Sequence, residues 1–242
     1  MPILAAMFDL TKRAVVLTGA TGNIGPAVIR AYLAQGAHVA IAVRDPAKGA
    51  ALKAELGGGG RLMEAVADPA DRQGMERFVE QVLRVWGRLD IVANLVGGYA
   101  ASAAADGDLA AYRASWDQKI ATAVTATAAC LRPMRARGYG RIVSVASTAA
   151  LKGEKGAAGY AMANAALVRW TESLAEETKR EGITANCVLP RIIDTPENRA
   201  AMPKADPTRW ATPAEIAAVV VFLSSDEASG VTGASIPVVA RT

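Results

Sequence analysis

The sequence predicts an α/β fold in which a doubly wound parallel sheet carries helices on both faces. Short runs rich in β-branched residues alternate with segments of helical periodicity along the whole chain, and this alternation is typical of βαβ units. A length of 242 residues suits one such domain with a well-buried core and is short for two. Residues 1–242 are therefore predicted to form a single domain.

The first elements follow directly from the residue pattern. Residues 13–19, RAVVLTG, predict a buried strand, and residues 26–36, PAVIRAYLAQG, predict a helix that stops at a glycine. The run at 38–43 predicts the next strand, and 46–56 predicts the helix after it. The glycines at 57–60 predict a surface turn that is too short to link two domains.

The same alternation continues towards the C-terminus, with no internal repeat beyond it. Further strands are predicted at 61–68, 89–97, 141–147, 183–190 and 234–239, and further helices at 71–87, 116–137, 157–181 and 213–224.

Composition argues against several classes of protein. Hydrophobic residues make up 52% of the chain and aromatic residues 5%, which fits tight helix-on-sheet packing and not a disordered chain or a fibre. No apolar stretch reaches the ~18 residues that cross a bilayer, and the N-terminus lacks the charge order of a secretory signal. We expect no membrane partner. Cys130 and Cys187 both lie in apolar sequence, so we expect no disulfide and a cytoplasmic location.

The basic character of the chain does not predict a nucleic-acid partner. The net charge is +4, and the densest basic segment is RPMRARGYGR, which contains Arg132, Arg135, Arg137 and Arg141. These arginines are expected to complement the dipole at the end of a helix. No nucleic-acid motif or interleaved aromatic residues accompany them. We therefore predict no nucleic-acid partner, and no residue cluster predicts a metal site.

A glycine-rich string, TGATGNIG at 18–25, follows the first predicted strand and opens the first helix. In this context Gly19 permits a tight turn, and Gly25 lets the helix pack against the strand. The N–H groups at the start of the helix then face a pyrophosphate. Pro26 suits this position because a residue in the first turn loses no intrahelical hydrogen bond. The string therefore predicts a dinucleotide-binding fold of the Rossmann type.

The end of the second strand predicts which nicotinamide coenzyme is bound. An acid there would bind a ribose 2′-hydroxyl, whereas an arginine accommodates a 2′-phosphate. Arg44 directly follows the strand, and Asp45 comes next, beside Pro46, where we expect it to cap the following helix. NADP(H) is therefore favoured over NAD(H).

In their order and spacing, these motifs resemble the short-chain dehydrogenase/reductase family over essentially the whole chain. TGATGNIG resembles the family's TGxxxGxG loop, although Gly22 lies one place early and Asn23 replaces the middle glycine. LDIVANLVGG resembles the strand that ends in NNAG, GRIVSVAS the strand with the catalytic serine, and NCVLPRIIDTP the pattern NxVxPGxIxTP. Ser147 lies 13 residues before Tyr160, as the family requires, but Asn164 makes the next motif YxxxN instead of YxxxK.

The resemblance implies hydride transfer between a nicotinamide and a carbonyl or alcohol. In the family, the tyrosine exchanges the proton and the serine orients the reacting oxygen. The lysine holds the ribose and lowers the tyrosine pKa, and an asparagine on the preceding helix fixes a relay water. The implied catalytic residues are Ser147, Tyr160 and Asn164. The implied cofactor-binding residues are Gly19, Thr21, Gly22, Asn23, Ile24, Gly25, Arg44, Asp68, Asn94, Gly97, Tyr160, Asn164, Pro190, Ile193 and Thr195. Assembly of family members through the helices at 116–137 and 157–181 implies a homodimer or homotetramer.

Two catalytic positions of the family are changed in this chain. Asn164 carries no charge, although its amide is expected to hydrogen-bond a ribose hydroxyl. Alignment of the preceding helix puts Ala123 where the relay asparagine would stand. Lys119 and Arg191 are candidates to replace the missing charge, and the alternative for each is a solvated surface side chain.

These changes predict a slow reductase with an incomplete catalytic set. Carbonyl reduction needs a protonated Tyr160, and an ordinary pKa of about 10 keeps the phenol protonated at neutral pH. Alcohol oxidation needs the phenolate, so it should be impaired more than reduction. We therefore expect an NADP(H)-dependent reductase of a small carbonyl compound. Two alternatives stay open: a non-redox cyclase, dehydratase or isomerase on the same fold, and a non-catalytic cofactor-binding protein.

Two segments are expected to surround the substrate. Residues 190–212 resemble the family's substrate-covering loop in position. Met202 and Trp210 are candidate apolar lid residues, and the alternative is that both are core anchors. Residues 97–107 are mostly small and place few steric limits on a substrate. We expect them to form the wall of the substrate site opposite residues 190–212.

Overall fold

The computed structural model describes residues 8–242 and contains one sheet of seven parallel strands. The strands are β1 (Ala14–Thr18), β2 (His38–Val43), β3 (Leu62–Val66), β4 (Ile91–Asn94), β5 (Gly140–Val145), β6 (Ile183–Pro190) and β7 (Ser235–Val238). The helices are α1 (Gly25–Ala34), α2 (Pro46–Leu56), α3 (Arg72–Trp86), α4 (Leu109–Trp116), α5 (Thr122–Arg137), α6 (Ala158–Thr178), α7 (Pro196–Ala201) and α8 (Pro213–Leu223). The predicted fold class, a Rossmann-type parallel sheet flanked by helices, is confirmed.

The strand order is β3-β2-β1-β4-β5-β6-β7, so the chain reverses direction across the sheet after β3. β1 pairs with β2 on one side and with β4 on the other. Loops that leave β1 and β4 therefore diverge at the carboxyl edge and open a crevice between them. In sheets of this type, ligands bind at that point.

Apolar cores lie on both faces of the sheet. On one face, helices α1, α2 and α8 pack against side chains that include Val15 and Leu17 of β1. On the other face, α3, α5 and α6 pack against side chains that include Ala14 and Val16. Because neighbouring strand residues alternate between two covered faces, the whole of β1 is buried.

The largest difference from the predicted elements concerns the helix expected at 116–137. The structure instead has α4, a π-helical turn at Asp117–Ala121, and then α5. A π turn inserts an extra residue into the helical repeat, so it rotates the side chains before it relative to those after it. The short helix α7 was not predicted either.

The basic segment RPMRARGYGR serves mainly internal contacts. Arg135 and Arg137 reach Glu181 and Asp90, at 2.7 and 4.0 Å respectively. Arg141 is buried, and its guanidinium donates to backbone carbonyl oxygens. These arginines are thus used in ion pairs and carbonyl contacts, beyond the helix-dipole role expected for them.

Cys130 and Cys187 are buried free thiols, as expected from their apolar surroundings. Between residues 8 and 242, no helix combines the length and apolarity needed to cross a membrane.

Candidate active site

The loop between β1 and α1 has a backbone path that only glycine allows at two positions. Gly19 has a φ of +75°, and a Cβ built on it would lie 2.7 Å from the Val96 nitrogen. A Cβ on Gly25 would lie 2.0 Å from the Ala20 carbonyl oxygen. Side chains at either position would displace backbone, so the tight turn predicted from the sequence has a steric basis.

The start of α1 leaves backbone donors available for an anion. Ile24 occupies the N-cap position, and it makes no side-chain capping hydrogen bond. The three preceding residues, Thr21, Gly22 and Asn23, are exposed. The uncapped N–H groups of a helix N-terminus bind phosphate, and the glycines keep the loop close to the sheet edge. The loop therefore fits the pyrophosphate of a dinucleotide.

Two predicted cofactor contacts lie beyond the ends of β2 and β3. Arg44 is exposed and forms no ion pair within the described part of the chain. Asp45 caps α2 by accepting from the Ala47 and Lys48 nitrogens at 2.9 and 3.2 Å, as predicted. Asp68 is exposed, and its carboxylate is engaged with the backbone of its own turn.

Asn94, a predicted cofactor residue, is buried, and its amide nitrogen is used inside the protein. Its Nδ2 donates to Thr127 Oγ1 at 2.9 Å and to Ser144 Oγ at 3.2 Å. Asn94 therefore joins the end of β4 to β5 and α5. The amide turns inward because both hydroxyls lie within its reach in the interior.

Ser147 and Tyr160 lie on neighbouring elements, close enough for the Ser147 hydroxyl to lower the Tyr160 pKa. Ser147 lies two residues beyond the end of β5 and caps a short helical turn, where its Oγ accepts from the Ala149 nitrogen at 3.2 Å. Tyr160 lies in the first turn of α6, and the ring of Tyr99 meets its ring edge-on at 5.4 Å between centroids.

Burial is the main influence on the Tyr160 phenol. It raises the pKa of Tyr160 above the ordinary value, and a hydrogen bond from Ser147 acts in the opposite direction. The charges of Glu154 and Tyr99 raise the pKa further. At neutral pH the phenol is therefore protonated and able to donate a proton.

Ser102 positions the start of α6, and sequence reasoning did not find it. Its Oγ accepts from the Gly159 nitrogen at 2.9 Å, and its carbonyl oxygen accepts from the Ala158 nitrogen at 2.9 Å. The 97–107 segment is thus tied to the turn that carries Tyr160. A single serine within a run of small residues gave no signal of this role.

Asn164 is fully buried, and its side chain folds back on its own helix. Its Nδ2 donates to the Tyr160 carbonyl oxygen at 2.8 Å, and its Oδ1 has no hydrogen-bond partner within residues 8–242. The short side chain reaches the carbonyl one turn earlier, as polar residues within helices often do. One N–H of this amide is therefore used within α6, and the expected contact with a ribose hydroxyl stays a prediction.

Lys119 is buried, so its interpretation as a solvated surface residue is wrong. It lies in the π-helical turn, and its Nζ donates to the Val96 and Val145 carbonyl oxygens, both at 3.0 Å. Burial lowers the pKa of Lys119 to about 8. By contrast, Ala123 packs within an apolar cluster, and Arg191 is exposed. From this stretch, Lys119 and not Ala123 reaches the carboxyl ends of the strands.

The 190–212 segment begins at the end of β6 and is closed at its base. Ile193 pairs with Ala211 in an isolated bridge, and Thr195 caps α7 by accepting from the Asn198 nitrogen at 3.2 Å. Trp210 is buried, which makes it a core anchor. Met202, in contrast, is half-buried.

The arrangement places a glycine loop that fits a phosphate and two hydroxyl groups at one edge of the sheet. The loop follows β1, whereas the hydroxyls of Ser147 and Tyr160 lie beyond β5 and at the start of α6. A dinucleotide anchored after β1 can extend past the end of β4 towards this pair. Chemically, the pair can hydrogen-bond and protonate an oxygen that gains negative charge.

Comparisons with known proteins agree with this geometry. The family described as short chain dehydrogenase matches residues 13–206. Nodulation protein G of Rhizobium sp. (strain N33) is 32% identical, over 96% of this chain and 97% of its own length. The 3-oxoacyl-[acyl-carrier-protein] reductase FabG of Escherichia coli (strain K12) is also 32% identical, over 92% of this chain and 94% of its own.

A solved structure has a similar fold. The crystal structure of levodione reductase has a TM-score of 0.86 and 27% sequence identity, and the match covers 95% of this chain and 97% of that one. Since the matches span nearly full length in both directions, the chain belongs to the short-chain dehydrogenase/reductase family.

Proposed function

We propose that this protein is an NADP(H)-dependent reductase of a small carbonyl compound, and that it works in the cytoplasm as a homodimer or homotetramer. The placement of Ser147 beside a protonated, half-buried Tyr160 carries the proposal. Two of the relatives and structural neighbours, the 3-oxoacyl-[acyl-carrier-protein] reductase and levodione reductase, are named as reductases.

Residues 1–242 act in this proposal as one dinucleotide-binding domain. The exposed Arg44 supports a preference for NADP(H), since a guanidinium binds a 2′-phosphate. The uncapped start of α1 holds the pyrophosphate. Residues 190–212 cover the substrate, with the half-buried Met202 facing it and Trp210 anchoring the end of the segment.

The chain's own residues supply the proton chemistry. A bound nicotinamide supplies the hydride that reduces the carbonyl carbon. Ser147 Oγ donates a hydrogen bond to the carbonyl oxygen, which gains negative charge as the carbon is reduced. The Tyr160 hydroxyl then transfers its proton to that oxygen. Because burial raises the pKa of Tyr160, reduction is favoured over oxidation, which needs the phenolate.

A panel of small aldehydes and ketones tests the proposal. With NADPH present, one NADPH should be oxidised for each molecule of alcohol formed. Product formation without cofactor consumption would instead support a cyclase, dehydratase or isomerase. Saturable cofactor binding without turnover of any panel member would favour a non-catalytic cofactor-binding protein.

A further inference from the structure

We propose that Lys119 holds the ribose on the nicotinamide side of the cofactor, and that residue 164 does not. This inference rests on the proposed cofactor binding. It assigns the positive charge at the ribose to Lys119, in the helical turn that precedes α5. The YxxxN motif alone would indicate that the site has no positive charge, because Asn164 is neutral.

The position of the ammonium is defined by two strand ends. Val145 is the last residue of β5, and Val96 lies two residues beyond the end of β4. Their carbonyl oxygens each accept from Lys119 Nζ at 3.0 Å. The charge is thus fixed between β4 and β5, at the carboxyl edge of the sheet.

The ammonium retains one donor for a ligand. An ammonium has three N–H donors, and two of them are used by the carbonyl oxygens. Within the described residues, no carboxylate forms an ion pair with Lys119. A buried charge without a counter-ion is costly, so an additional oxygen acceptor would stabilise it. Burial lowers its pKa only to about 8, and the group is therefore mainly charged at neutral pH.

Gly97 lies next to this ammonium. Gly97 is exposed, and a Cβ built on it would lie 2.2 Å from Lys119 Nζ. Any larger residue at 97 would therefore collide with the ammonium or cover it. In the proposal, the absence of a side chain at 97 lets the ribose reach the remaining donor of the otherwise buried Lys119.

The strand order indicates which part of the cofactor meets Lys119. Arg44 and Asp68 lie beyond β2 and β3, on the side of the sheet where the adenosine half is proposed to bind. The pyrophosphate loop follows β1, and Gly19 of that loop approaches the Val96 backbone. Continuing in the same direction, the ribose after the pyrophosphate passes the ends of β4 and β5. Its hydroxyl oxygens are suitable acceptors for Lys119 Nζ.

Comparison of a full coenzyme with a fragment tests this assignment. NADPH contains the second ribose, and 2′-phosphoadenosine 5′-diphosphate lacks it. Lys119→Met should weaken NADPH binding about 10- to 100-fold, the effect of losing one hydrogen bond to a charged group. The same variant should leave the fragment's Kd within about 2-fold of wild type. Lys179→Met, an exposed lysine at the end of α6, is the matched control and should change neither Kd.

Several outcomes would overturn the assignment. Unchanged NADPH binding in Lys119→Met would show that the ammonium does not contact the cofactor. Equal weakening of NADPH and the fragment would indicate a structural role in holding the loops. If wild-type protein binds the fragment but not NADPH, the inference fails while the adenosine site stands. If it binds neither, the proposed function itself fails.

A second variant keeps Lys119 and so avoids a loss of its buried contacts. Asn164→Lys alone should not tighten NADPH binding, because the ribose already has its ammonium. Added to Lys119→Met, the same change should restore part of the lost affinity by supplying an ammonium from α6. A tenfold or greater increase in affinity for Asn164→Lys alone would show that the wild-type site lacks the cation, and would overturn the inference.

Discussion

Burial determines the protonation of both titratable groups on which the site depends. It raises the pKa of the Tyr160 phenol and lowers the pKa of the Lys119 ammonium, because a low-dielectric surrounding disfavours each charged form. The tyrosine is therefore kept as an acid. The lysine remains a cation at neutral pH, but its pKa lies closer to neutral pH than that of an exposed lysine.

The pH dependence of the two reaction directions should differ. Reduction uses the protonated form of Tyr160, which is present below its pKa, and that pKa is raised above the ordinary 10.0. We expect kcat for reduction, at saturating NADPH, to stay level through neutral pH and to fall only as pH rises through the raised pKa. Oxidation should accelerate over the same rise.

Rates measured in both directions over a pH series check this prediction. The groups that act on Tyr160 are Ser147, Glu154 and Tyr99, so Glu154→Gln should shift the profile slightly to lower pH. A reduction rate that already declines between pH 6 and 8 would contradict the half-buried Tyr160 phenol as the acid.

Replacement of Tyr160 by Phe should remove the proton donor and leave the ring in place. General acids typically contribute about 10²- to 10⁴-fold, so kcat should fall by at least about 100-fold. NADPH affinity, measured by fluorescence titration, should change much less. Tyr139→Phe provides a matched control, because the Tyr139 hydroxyl bonds Asp226 away from the site. Comparable kcat values for the Tyr160 variant and wild type would rule out the proposed proton donor.

Arg44 should determine the choice between the two coenzymes. Its guanidinium is exposed after β2, and a charge-assisted contact with a 2′-phosphate is worth about 1.5–3 kcal/mol. Arg44→Ala should therefore raise the Kd of NADPH about 10- to 100-fold. The Kd of NADH should be nearly unchanged, which serves as the internal control. Equal effects on both coenzymes would contradict the assignment of a 2′-phosphate contact.

At the scale of elements, the turn between β1 and α1 depends on close backbone contact. A Cβ on Gly25 would meet the Ala20 carbonyl oxygen at 2.0 Å, whereas a Cβ on Gly22 would lie 3.3 Å from the Gly19 oxygen. Gly25→Ala must shift α1 relative to β1, so it should reduce NADPH affinity at least tenfold and lower Tm. Gly22→Ala, with a Cβ contact that a small adjustment relieves, should have a clearly smaller effect. Similar affinity and Tm losses for both variants would contradict the steric account.

Most elements could be predicted from sequence, because strands that are buried on both faces appear in the sequence as continuous apolar runs. The helix before β5 is the exception. The sequence at the π-helical turn, Asp117–Ala121, gives no sign of the extra residue that redirects Lys119. Alignment to an unbroken helix accordingly placed Ala123 at the site.

At the scale of the whole molecule, the sheet topology follows from the alternation of strands and helices. Ser147 and Tyr160 could be found from their spacing, since both lie next to the ends of regular elements. The directions of the Asn94, Lys119 and Asn164 side chains could not be predicted. Each depends on hydroxyl or carbonyl groups from elements that come together only on folding.

The central claim is that a nicotinamide dinucleotide binds across the carboxyl edge of this sheet. Isothermal titration calorimetry of the wild-type protein with NADPH and with NADH tests it most directly. We predict saturable binding of NADPH at one site per chain, with weaker binding of NADH. No heat of binding with either coenzyme, at protein concentrations high enough to detect a millimolar Kd, would contradict the account.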